Sequence, residues 1–165
     1  YGISKLGSEK ILLKLKQLNI KVFIYRLFNV YGPGQNYNNL DQGMLSIYLA
    51  QAVNNNKVYV TGSLKRYRDF VYIDDVVNAL TKSIKYKKND DNIYNIGSGK
   101  KTYVYQILDK IFNLLKIKKK IIVQKGHSGD PWGMYANNKK MLNKGWKIKT
   151  DLKKGLELTI NDINK

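Results

Sequence analysis

Ile3, Leu6, Ile11, Leu12, Leu15 and Leu18 recur at close to helical spacing, which predicts a helix over 3–18. The pattern then changes. Val22-Phe-Ile-Tyr-Arg-Leu27 is a short, nearly continuous apolar run, suited to a strand buried on both faces of a parallel sheet. Tyr31-Gly-Pro-Gly34 is turn chemistry. Leu40, Met44, Ile47, Tyr48 and Ala52 predict a helix over 40–54, and Val58–Val60 and Phe70–Ile73 read as strands. Asp74 is placed to cap a helix running to about Ser83. Ile93–Ile96 reads as a strand closing at Gly97-Ser-Gly99, and 103–116 as an amphipathic helix. Ile121–Val123 is a further strand. A last helix over about 151–163 takes Thr150 or Asp151 as its N-cap. Alternating helices and short buried strands predict an α/β fold. The first helix has no preceding strand to lie on, so the chain is expected to be the C-terminal part of a larger protein.

Composition narrows the chemistry. No Cys is present, which excludes disulfides, thiol catalysis and Cys-based metal sites. A single His, His127, argues against a His-rich metal site. No apolar run approaches 18 residues and no signal peptide is evident, so a cytoplasmic location without membrane association is expected. The net charge of +18 suggests a nucleic-acid binder at first sight. However, only Arg26, Arg66 and Arg68 among the 30 basic residues are Arg. Lys, Asn, Ile and Tyr share A/T-rich codons, and the Lys residues are spread along the predicted helices as solvated faces. Bidentate base and phosphate contacts favour clustered Arg instead. Nucleic-acid binding is therefore not expected, although the field attracts any anionic ligand.

Tyr1 and Lys5 stand four residues apart, on one face of the first helix. An ammonium beside a phenol favours the phenolate, which makes the pair a candidate base for a hydroxyl proton. In a Lys-rich chain this spacing alone is weak. Three further segments follow in order: Arg26-Leu-Phe-Asn29-Val-Tyr-Gly-Pro-Gly34, Arg68-Asp-Phe-Val-Tyr-Ile-Asp-Asp75 and Tyr94-Asn-Ile-Gly-Ser-Gly99. With Tyr1-Gly-Ile-Ser-Lys5-Leu-Gly-Ser-Glu9 they resemble the extended short-chain dehydrogenase/reductase family, in its NAD-dependent epimerase/dehydratase branch. The resemblance runs from residue 1 to about 160.

The resemblance implies a Rossmann-type parallel sheet with a smaller α/β substrate-binding domain. Residues 1–33 and about 68–99 would be the remainder of the NAD-binding domain. Residues about 34–67 and 100–165 would form the interleaved nucleotide-sugar domain, with the N-terminal cofactor half absent. Tyr1 would be the acid/base. Lys5 would bind the nicotinamide ribose and tune the phenol, and a Ser or Thr would complete the set from upstream. Asn29 would contact substrate or nicotinamide, or serve as a turn former before Gly-Pro. Asn39 would meet the substrate diphosphate at a helix start, or act as a plain N-cap. Tyr59-Val-Thr61-Gly62 resembles the strand that flanks the base, and Arg68 matches the diphosphate-binding Arg. Asp69 and Asp74 read as a turn partner and an N-cap.

Gly97-Ser-Gly99 lacks the G-K-[ST] context of a phosphate loop and reads as a strand-to-helix turn. His127-Ser-Gly-Asp130 stands where the family has Arg-x-Gly-Asp. His127 offers one donor in place of a bidentate cation, and Asp130 would accept from ribose hydroxyls. Trp146, in Lys144-Gly-Trp146, reads as packing.

The implied activity is NAD-dependent nucleotide-sugar epimerisation, with oxidation to a keto-sugar and return of hydride. The chain alone is expected to be inactive, with strand 22–27 partly uncovered. A dehydratase or reductase of the same family, and a non-catalytic nucleotide-sugar-binding remnant, remain open. So does NADP beside NAD. A homodimer of the intact parent is implied by resemblance alone.

Overall fold

A computed structural model of the chain describes residues 2–35, 43–86, 93–126, 128–129 and 131–163. Helix α1 spans Gly2–Lys14 and tightens into a 3₁₀ turn over Leu15–Leu18. Strands β1 (Ile24–Leu27) and β2 (Asn29–Tyr31) follow, then helix α2 (Met44–Asn55) and strand β3 (Val58–Thr61). The short strand β4 (Tyr67–Arg68) leads to β5 (Phe70–Tyr72) and helix α3 (Ile73–Ser83). Beyond it come β6 (Ile93–Ile96), β7 (Thr102–Tyr103), α4 (Val104–Leu115), β8 (Ile121–Gln124), α5 (Lys139–Asn143) and α6 (Leu152–Ile163).

The strands pair across long stretches of sequence. β1 runs parallel to β6, β2 to β5 and β3 to β8, while β4 and β7 are antiparallel. Parallel neighbours need a crossover between them, which the helices supply. β1 and β2 form one extended run that changes partner at Phe28. Phe28 N–H donates to Ile96 O at 3.0 Å, and the next N–H, of Asn29, donates to Asp69 O at 3.0 Å.

Two apolar clusters hold these pieces. In the larger, Leu49 and Ala52 of α2, Val58 and Val60 of β3, Ile107 of α4 and Leu156 of α6 meet. The smaller gathers Val71, Ala79, Tyr94, Ile96, Met141 and Trp146. Trp146 is packed there as expected, its indole N–H donating to Asp75 O at 2.9 Å. No described helix is long and apolar enough to cross a membrane. Among the described residues, no group of three or more His, Asp or Glu is placed to hold a metal.

Several expectations need correction. Segment 22–27 is not covered on both faces: Val22 and Ile24 are buried, while Arg26 and Leu27 are exposed. This partial cover matches the separate expectation for the chain on its own. Asp74 does not cap α3. The N-cap is Tyr72, without a side-chain cap bond, and Asp74 is exposed in the first turn. Asp75, one residue on, is buried and accepts from Lys149 N (2.9 Å) and Thr150 N (3.0 Å). At α6 the cap is Asp151, whose Oδ1 accepts from Lys154 N at 2.8 Å. The two-residue strands β4 and β7 carry no readable periodicity, because one alternation is too short a sample.

Asp69 does more than form a turn. It is fully buried, yet its carboxylate accepts from Ser98 N (2.6 Å), Ser98 Oγ (2.6 Å), Gly99 N (2.8 Å) and Ala136 N (2.9 Å). The Gly97-Ser-Gly99 turn thus wraps an anion, and that anion is the protein's own.

Two stability changes follow. Asp69→Asn keeps the volume but turns an amide NH₂ toward backbone donors, and is expected to cost about 3 kcal/mol or more in urea unfolding. A Cβ on Gly155 of α6 would overlap the buried Tyr31 hydroxyl. Overpacking of about 1–3 kcal/mol outweighs the helix gain of about 1 kcal/mol, so Gly155→Ala is expected to destabilise. Tyr31→Phe in the same chain is expected to recover part of that loss.

Candidate functional site

A cavity of about 340 Å³ opens where α2, β3, β4 and the end of β8 meet. Met44, Ile47, Tyr48 and Gln51 face it from α2, a spacing that places all four on one side of a helix. Strand alternation does the same on β3. Tyr59 and Thr61 face the cavity, while Val58 and Val60 point into the core. Gln51 ties the two elements, its Oε1 accepting from Tyr59 N at 2.8 Å. Arg66, Arg68 and Gln124 complete the wall. Other clefts are larger, including one lined by Lys100, Lys110, Lys149 and Lys153 at the start of α6. Phe70, Ser98, Thr150 and Asp151 also line that cleft, but none of the candidate catalytic or binding residues named from the sequence does.

The electrostatics of the cavity are positive. Burial pushes the Tyr48 hydroxyl above the usual phenol range, while Arg66 and Arg68 pull it the other way. Arg68 Nη1 donates to Tyr67 O at 2.9 Å, which aims its guanidinium along β4. Arg66 Nη2 donates to Thr61 O. Gly62, at φ +85°, gives Arg66 room: a Cβ there would lie 3.0 Å from the guanidinium carbon.

The structure brings Tyr59 and Arg68, both named from the sequence, to one cavity. Asn29 sits elsewhere, on β2, with Nδ2 donating to Asp69 O at 2.9 Å. Lys5 is exposed on α1. Tyr1, Asn39, His127 and Asp130 lie outside the described residues. Tyr48, Gln51, Thr61, Arg66 and Gln124 were not chosen as site residues from sequence. For Gln51 the signal was present, as a polar residue on the otherwise apolar side of α2.

Helix α1 buries no residue. It is tethered by Glu9, whose carboxylate takes both Arg26 Nε (2.8 Å) and Arg26 Nη2 (2.6 Å). This fork holds the Glu9 carboxyl below the ordinary value of 4.5 and raises the Arg26 guanidinium.

Comparison with known proteins bears on the family and the fold. A family model described as the NAD dependent epimerase/dehydratase family matches residues 1–97. A putative UDP-glucose 4-epimerase of Methanocaldococcus jannaschii is 33% identical over 162 residues, which is 98% of this chain and 52% of that protein. The dTDP-4-dehydro-6-deoxyglucose reductase of Escherichia coli is 32% identical over 99% of this chain and 52% of its own length. A UDP-glucose 4-epimerase of Thermotoga maritima, solved with UDP-glucose, aligns with a TM-score of 0.92 at 28% identity. That alignment covers 99% of this chain and 53% of the other. The chain spans about half the length of the curated relatives it matches.

The Glu9 tether gives a pH-dependent expectation. A carboxyl lowered on folding stabilises above its unfolded pKa, and that contribution is lost as pH falls through the folded value. Glu9→Gln is expected to speed amide hydrogen exchange across α1 at pH 7. Wild type and variant are expected to converge once the pH has fallen through the lowered Glu9 value, where both lack the ion pair.

Proposed function

The chain belongs to the NAD-dependent epimerase/dehydratase family, and from that premise we propose that it serves a nucleotide-sugar epimerase. The observation that carries this reading is the cavity of α2, β3 and β4, where Arg66 and Arg68 share a wall with Tyr59. A guanidinium matches the fork of a phosphate, and an aromatic ring beside it suits a base. The solved Thermotoga maritima relative holds UDP-glucose, which supports a UDP-sugar as the ligand. Asn39, His127 and Asp130 would add contacts to the diphosphate and ribose.

The chemistry falls to Tyr1 and to Lys5 of α1. Tyr1 takes the proton from a sugar hydroxyl and returns it after the ring has turned, and Lys5 stabilises the phenolate and meets a ribose hydroxyl. NAD, when bound, supplies the hydride acceptor and donor, which leaves the protein to bind, orient and move one proton. Lys5 fits such a cofactor, being an exposed cation on α1. Asn29 donates one amide N–H to Asp69 O, so its second N–H and its amide oxygen are what it has to offer.

The interleaved domain reading is part of this proposal: β1, β2, β5 and β6 on the cofactor side, β3 and β8 on the sugar side. A cytoplasmic location suits these ligands. The side of α1 that exposes Ile3 by 91% suits the contact of a homodimer. The Escherichia coli reductase, nearly as similar as the epimerase, supports a second reading, in which the same proton and hydride traffic reduces a keto-sugar.

Isothermal titration of the chain with UDP-glucose tests the site directly. Binding is expected, and Arg68→Ala is expected to weaken it by about 10–100-fold, the effect of losing one charge-assisted contact. If wild type does not bind, or the variant binds equally well, the nucleotide-sugar reading fails.

A further inference from the structure

Four lysines converge on a cleft that shares no lining residue with the cavity of Tyr59 and Arg68. The cleft holds about 500 Å³ and is lined by Lys100, Lys110, Lys149 and Lys153. These come from four separate pieces of chain: the turn after β6, helix α4, the segment before α6, and α6 itself. Lysines spaced along one helix solvate a face, whereas lysines gathered from four segments form a cluster. Among the described residues, none of the four ammonium groups makes a hydrogen bond or an ion pair.

The backbone that carries them is fixed from below. Lys149 N and Thr150 N donate to the buried Asp75 carboxylate. Ser98 N donates to the buried Asp69, and Lys100 N donates to Ser98 Oγ at 3.2 Å. Lys110 stands on α4 between Ile107 and Ile111, both in the larger core. The fold therefore holds like charges near one another, and a bound polyanion would relieve that repulsion. Acidic neighbours do little to offset it. Asp151 lines the cleft, but its Oδ1 caps Lys154 N. Asp109 lines an adjoining cleft, which shares Lys100 and Lys110, and it is paired with Lys119.

The lining selects among anions. An ammonium is a point charge that suits phosphate oxygens, and no guanidinium is present to fork a planar carboxylate. Thr102 and Thr150 add hydroxyls. Phe70, the aromatic residue of the lining, is buried, so no ring is offered for a base to stack on.

We propose that this cleft binds a short inorganic oligophosphate, at a site separate from the nucleotide-sugar cavity. The competing account is the field of the whole chain, since a net charge of +18 attracts any polyanion without a site.

Calorimetric titration of the whole chain with inorganic tripolyphosphate separates the two. Lys110→Gln with Lys153→Gln is expected to weaken binding by about tenfold or more, the effect of two close charges. Lys10→Gln with Lys14→Gln removes the same charge from α1 and is expected to stay within about twofold. Arg68→Ala is expected to leave binding within about twofold as well. Equal weakening by the two lysine pairs would mean attraction by net charge alone, and the inference would be wrong. It would also be wrong if Arg68→Ala were the damaging change, or if wild type did not bind. Circular dichroism checks folding. Should the Lys110/Lys153 variant not fold, Lys100→Gln with Lys149→Gln, both exposed, decides by the same comparison. Because the probe carries no nucleoside or sugar, this outcome is independent of the nucleotide-sugar reading.

Discussion

The buried carboxylate of Asp69 is the constraint on which the arrangement depends. A carboxylate out of water is costly unless its oxygens are filled, and here the two oxygens take four donors. Those donors come from the turn after β6 and from Ala136. The Asp69 carbonyl takes two more, both from Asn29 of β2. One residue therefore ties β2, β5, the β6 turn and the segment leading to α5. Gly97 is required by this closeness, since a Cβ would lie 2.7 Å from Ala136 Cβ and 2.8 Å from Asp69 Oδ2. Arg68 is the residue just before it in the chain. Its place in the cavity wall is fixed by what Asp69 holds, so the core and the site share one anchor.

That anchor also explains what the Gly97-Ser-Gly99 turn does not do. Its N–H groups converge as they would on a phosphate, but a carboxylate of the same chain occupies them. In the proposed function anion binding falls instead to side chains that line the cavity, Arg66 and Arg68. Guanidiniums suit that task, because they stay charged in a half-closed cavity and present a planar fork.

Much of this was legible in the sequence, for physical reasons. Helices α2, α4 and α6 each bury one face in the larger core, so their apolar spacing shows, and the apolar strands β3 and β6 are bounded by turn residues. Tyr59 and Arg68 were legible because the motifs that carry them lie on β3 and β4. The long-range role of Asp69 was not, since Ser98 and Ala136 lie 29 and 67 residues away. Asp74 suits an N-cap by type, yet Tyr72 holds that place, and the buried carboxylate is Asp75, whose partners Lys149 and Thr150 lie 74 and 75 residues away. Arg66 was hidden for a similar reason: its burial depends on Gly62, whose freedom to adopt a positive φ has no pattern of its own.

The two parts of the proposed chemistry rest on supports of different stiffness. The cavity is built on α2 and β3, which pack into the larger core through residues such as Leu49, Ala52, Val58 and Val60. Lys5 stands on a helix with no buried residue, joined to β1 by the Glu9–Arg26 fork at the surface. Exposed ion pairs contribute little and are screened by salt. An acid/base pair needs sub-ångström placement, which this tether alone does not provide. The proposed binding therefore rests on elements that this chain itself packs. The proposed catalysis asks for further contacts that cover the apolar side of α1 and hold Lys5 in register with the cavity.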